Sequence, residues 1–77
     1  MPNNLFNWTY TDIVEVLKEH GFHLNHIEGS HHFYVGFSGG MMRQVCVPRH
    51  GTKSFKPRTV KGMILQSGLP KKDWGIK

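Results

Sequence analysis

Two adjacent glycines, Gly39 and Gly40, separate two short runs of strand-forming residues, and this arrangement constrains the fold more than any other feature of the chain. The runs are His31 to Phe37 and Met42 to Val47, rich in aromatic and β-branched side chains. Ser38-Gly39-Gly40 supplies the positive-φ residues that a tight hairpin requires. The two runs therefore form an antiparallel pair. Pro48 stops the second strand because it has no N–H for the ladder. Side-chain alternation puts His31, Phe33, Val35 and Phe37 on one face, expected to be the core face. Val45 and Val47 share one face of the partner strand.

Helical patterns flank the strands. Thr9 and Asp12 have the spacing of a capping pair, and Ile13, Val16, Leu17 and His20 recur on one helical face. Gly21 ends this helix, expected over Tyr10 to His20, and Phe22 folds back on its last turn. Phe22 to Glu28 reads as a short strand before a Gly29-Ser30 turn. Arg49 to Lys56 is a basic loop. Pro57 suits the first position of a second helix whose stripe is Val60, Met63, Ile64 and Ser67, with Gly68 at its end. Residues 69 to 74 form a short tail with Trp74 packed back. The order is α-β-β-β-α, an α+β chain with a three-stranded antiparallel sheet and both helices on one face. Residues 1–8 read as a polar lead-in and residues 9–77 as one domain.

Length and charge narrow the function. A chain of 77 residues has a thin core, and no deep cofactor pocket is expected. Its one cysteine, Cys46, makes no internal disulfide. No apolar run approaches the roughly 20 residues that cross a bilayer. The N-terminus lacks a signal-peptide pattern, so a soluble cytoplasmic domain is expected. Residues 1–42 hold one base and four acids, a net of −3, whereas residues 43–77 hold nine bases and one acid, a net of +8. A basic half of this kind suits a polyanion such as nucleic acid; a solvated basic face is the plainer alternative.

Several short motifs fall in one order. They are Gly21-Phe22, Gly29-Ser30-His31-His32-Phe33-Tyr34, Val47-Pro48-Arg49-His50-Gly51, Phe55-Lys56-Pro57 and Ser67-Gly68-Leu69. Over about residues 9 to 74 the chain resembles the HicA toxins of bacterial HicA–HicB toxin–antitoxin systems, also called the YcfA-like family. The resemblance implies a double-stranded-RNA-binding-domain-like fold. It also implies a ribosome-independent mRNA interferase, an RNA-cutting toxin that inhibits translation and growth. The family's functional histidine matches His31. A HicB-like antitoxin is the implied partner, masking that histidine, and operator DNA is reached only through the complex.

The residues themselves fit such chemistry. Metal-free RNA cleavage needs a group to take the 2′-OH proton, an acid for the leaving oxygen and positive charge on the phosphate. Histidine serves as base or acid near neutrality. His31 follows Gly29 and Ser30; the glycine lets backbone approach a phosphodiester, and the serine can donate to a phosphate oxygen. By pattern alone His31 is a half-buried core histidine, and the resemblance reverses that reading. His32 points to the opposite face and reads first as a surface histidine, with a substrate contact or a second proton carrier as the alternatives. His50 is either a phosphate ligand or a turn hydrogen-bonder. Arg49, Lys53, Lys56 and Arg58, with the start of the second helix, form the expected RNA-backbone surface. Phe37 or Tyr34, if exposed on the open sheet face, could stack RNA bases or dock a partner; core or antitoxin contact is the plainer reading. His20, His23, His26, His50 and Cys46 lack any zinc-finger spacing, so no metal site is expected. The rival functions are a non-catalytic double-stranded-RNA-binding domain and a protein-binding module, the second of which leaves the +8 half unexplained.

Overall fold

The first helix owes both its ends to local chemistry. In the computed structural model, which describes residues 2–49 and 51–76, α1 runs over Tyr10–Glu19. The Thr9 hydroxyl accepts from the Asp12 amide, and the Asp12 carboxylate accepts from the Thr9 amide at 3.0 Å. Two amides that would otherwise lack helical partners are thus satisfied. At the far end the Phe22 amide reaches the Leu17 carbonyl at 2.9 Å and the Gly21 amide reaches Lys18 at 3.1 Å. These are the two bonds of a Schellman cap. His20 is the cap residue and not part of the helix, and Phe22 is taken up by the cap and not by a strand.

Three strands follow: β1 (His23–Glu28), β2 (His31–Ser38) and β3 (Met41–Pro48). They form one antiparallel sheet in the order β1-β2-β3. Ser38 pairs with Met41, so the hairpin turn is only Gly39-Gly40, with φ of 61° and 80°. Both central residues carry positive φ, as a type I′ turn demands. Helix α2 (Pro57–Ser67) then packs on β3, and a short 3-10 turn covers Lys71–Trp74. The architecture is the expected α-β-β-β-α, with the buried stripes of both helices in one core.

The expected core face of β2 is reversed. Tyr34 and Gly36 are buried, His32 is half-buried, and His31 and Phe37 are exposed. The hairpin register explains it. Tyr34 faces Val45 and His32 faces Val47 across the ladder, and paired residues share a face. Because both valines are buried in the core, the even positions of β2 must point inward. Tyr34 therefore does not join Phe37 on the open face. The apolar look of Phe33, Val35 and Phe37 concealed this, because the inward place at Gly36 is filled from elsewhere. A Cβ on Gly36 would meet the Phe22 ring at 2.5 Å, so the Phe22 side chain takes the room that a β2 side chain would fill.

The ends close the core. Trp8 and Trp74 are 0% and 1% exposed and meet edge to face, their centroids 5.7 Å apart. The Phe55 amide donates to the Trp8 carbonyl at 2.7 Å, tying the segment before α1 to the loop before α2. At the outer edge of β3, the Cys46 amide donates to the Gln66 side chain at 3.0 Å. Strand β1 is exposed along its whole length, including Leu24 and Ile27.

Two glycine substitutions separate these roles. Gly36→Ala is expected to cost about 1–3 kcal/mol by displacing Phe22. Gly62→Ala, in α2 with open space around its Cβ, is expected to leave stability equal or raise it by about 0.5–1 kcal/mol. Urea unfolding of the two variants checks both.

Candidate active site and nucleic-acid interface

The site is built where β2 begins and β3 ends. Gly29, at φ 59°, and Ser30 make the turn between β1 and β2. His31 is the first residue of β2 and lies opposite Pro48. The next residue on β3's side, Arg49, donates its amide to the Ser30 carbonyl at 2.7 Å. This bond extends the ladder one step and fixes Arg49 beside the turn. His31 is exposed, and its ring makes no hydrogen bond among the described residues. It stands on the open face of the sheet and not on the core face.

Behind the turn lies a cluster that sequence reasoning missed. The Arg49 guanidinium sits over the Tyr10 ring, 5.1 Å from its centroid. The Tyr10 hydroxyl is 2.9 Å from Nδ1 of His32 and 2.8 Å from the Tyr34 hydroxyl. His32 thus turns inward to a tyrosine pair and is not a surface histidine. The available signal was strand parity: His32 and Tyr34 share a face with each other and with Val47 and Val45. Burial, reinforced by the Tyr10 hydroxyl, pushes the Tyr34 phenol well above its ordinary range.

The remaining basic residues divide. Lys53 and Lys56 line a groove of about 290 Å³ with Pro48, Ser54, Phe55 and Thr59. Pro48 links this groove to the His31 position through the strand register. Arg58 is exposed in the first turn of α2, outside the groove lining. His50 lies outside the described residues. His20 and His26 are engaged separately. Nδ1 of His20 is 2.9 Å from the Val16 carbonyl, its Nε2 is 3.8 Å from Asp73, and His26 stacks on Phe33 at 4.4 Å. No group of three or more His, Cys, Asp or Glu side chains suited to a metal gathers among the described residues.

Comparison with known families decides the lineage. The family model described as the HicA toxin of bacterial toxin–antitoxin systems matches residues 10–69. The chain belongs to the HicA toxin family. No curated protein and no solved structure matches it. The matched stretch runs from Tyr10 to Leu69 and so takes in α1, the sheet, the Gly29–His31 turn, the lysine groove and α2. HicA membership makes the protein a toxin of such a system, with an antitoxin as its partner class. No helix of the described residues is long and apolar enough to cross a membrane.

Two titrations follow from the site's burial pattern. Tyr34 stays protonated in the fold at pH values where an unfolded tyrosine, with a pKa of about 10, ionises. Its contribution to stability is complete below about pH 10 and lost as pH rises above that. Tyr34→Phe is expected to flatten that alkaline decline, measured by urea unfolding at stepped pH. Burial, with a smaller effect from Glu28, also raises the Cys46 thiol. Cys46 is expected to alkylate more slowly with iodoacetamide at pH 8 than a free thiol, and unfolding in urea should remove the difference.

Proposed function

We propose that this HicA-family toxin is a metal-independent endoribonuclease that cleaves mRNA without the ribosome and so inhibits translation and growth. The observation that best supports the reading is the bond from Arg49 to Ser30. It ties the backbone of a cationic residue to the glycine turn that leads into the exposed His31. Those are the elements that in-line attack by a ribose hydroxyl requires.

In this reading His31 accepts the 2′-OH proton. The 2′ oxygen bonds to the adjacent phosphorus as the P–O5′ bond breaks. The leaving oxygen takes a proton from a second acid, or from water, to become a 5′-OH. The other product is a 2′,3′-cyclic phosphate. Arg49 neutralises charge that builds on the non-bridging oxygens, where a preorganised donor is worth far more than in bulk water. Gly29 admits the phosphodiester and Ser30 donates to it. Lys53, Lys56 and Arg58, together with His50, hold flanking phosphates, so binding weakens steeply with salt. A HicB-like antitoxin covers His31 in the inactive complex, which alone reaches operator DNA. The toxin acts in the cytoplasm.

The test pairs wild type with His31→Ala. Because His31 is exposed and its ring makes no hydrogen bond among the described residues, the variant should keep its melting temperature. It should lose cleavage of an RNA oligonucleotide by about 10²–10⁴-fold and no longer arrest growth. EDTA should leave wild-type cleavage unchanged. Equal activity of the two proteins would remove His31 from the chemistry. Wild-type RNA binding with no cleavage would support the non-catalytic double-stranded-RNA binder instead.

A further inference from the structure

We propose that Tyr10 is a positioning residue that holds the Arg49 guanidinium ready for a phosphate beside the Gly29–Ser30 turn. The proposal rests on the ribonuclease reading and adds to it a residue from another element of the fold.

An arginine on a surface loop loses much of its rotamer freedom when a phosphate pins it. Arg49 is held before any ligand arrives. Its backbone is fixed by the 2.7 Å bond to Ser30, and its guanidinium rests over the Tyr10 ring. A guanidinium held over a ring by cation–π attraction still has N–H groups free to make two bonds to one phosphate.

The ring is itself immobilised. Tyr10 stands in the first turn of α1, directly after the Thr9 cap. Its hydroxyl is gripped from two sides, by His32 and by Tyr34. One proton order leaves no hydroxyl hydrogen unpaired. Tyr34 donates to Tyr10, and Tyr10 donates to Nδ1 of His32, which puts the imidazole proton on Nε2. The reverse order strands the Tyr34 hydrogen in a site where Tyr34 is only 3% exposed. His32 therefore supports the site from the face opposite His31. The two adjacent histidines divide the work: one meets the substrate, and one steadies the tyrosine under the arginine.

A double-mutant cycle tests the assignment. Arg49→Ala should lower kcat/KM on an RNA oligonucleotide by about 100-fold. Tyr10→Leu should lower it by roughly 10-fold, and the double variant should be no worse than Arg49→Ala alone. Tyr10→Phe keeps the ring and should lose no more than about threefold. It carries the test if Tyr10→Leu fails to fold. The Nε–H resonance of Arg49 gives a readout independent of activity. Ring current should shift it upfield in wild type and Tyr10→Phe, and the shift should vanish in Tyr10→Leu. Additive losses in the cycle, or an Arg49 resonance insensitive to the ring, would overturn the proposal. A loss in Tyr10→Phe as large as that in Arg49→Ala would overturn it too. If wild type cleaves and His31→Ala does not, such a result rejects only the role of Tyr10. If wild type cleaves nothing, the ribonuclease reading and the positioning role fall together.

Discussion

The register of the β2–β3 hairpin is the constraint on which the rest of the molecule depends. A two-glycine turn closes on Ser38 and Met41, and from that pair every later partner is determined. Tyr34 is set against Val45 and His32 against Val47. A shift of one residue would exchange the two faces of β2. His31 would then enter the core and His32 would leave it. The chemistry of the chain is therefore decided at the end of the hairpin farthest from the site.

The thin core shapes the site as well. In a chain this small the core is thin, and the candidate site residues among those described sit on the surface at one end of the sheet. Precision comes from the backbone instead. The turn before β2 and the residue after β3 are locked by one main-chain bond, and the lysine groove shares Pro48 with that junction. The acidic first helix contributes one aromatic ring to this basic region, at its N-terminal turn, where the Asp12 carboxylate is engaged by Thr9.

Elements were legible because their ends are written in local chemistry. Thr9 with Asp12, Gly21, Gly39-Gly40, Pro57 and Gly68 each mark a boundary that needs no tertiary partner. Facing was not legible in the same way. The odd residues of β2 carry more apolar bulk than the even ones, and hydrophobic counting chooses the wrong side. Only the register to Val45 and Val47, with Phe22 filling the room above Gly36, corrects it. The motif residues Gly29, Ser30, His31 and Arg49 were visible as a pattern, and the fold brings them together. The Tyr10–His32–Tyr34 cluster was invisible because it joins a helix start to a strand more than twenty residues away, through hydroxyls that leave no periodic trace.

The bond from Gln66 to the Cys46 amide bears on how the protein behaves in solution. Exposed strand edges invite other chains to add strands, and proteins blunt them. Gln66 occupies a backbone donor on one outer strand, and a register irregularity between Leu24 and His26 interrupts the other. Each rim of the sheet is thus interrupted at one point. A toxin released from its antitoxin must stay dispersed while alone, and these two small features oppose its stacking into aggregates.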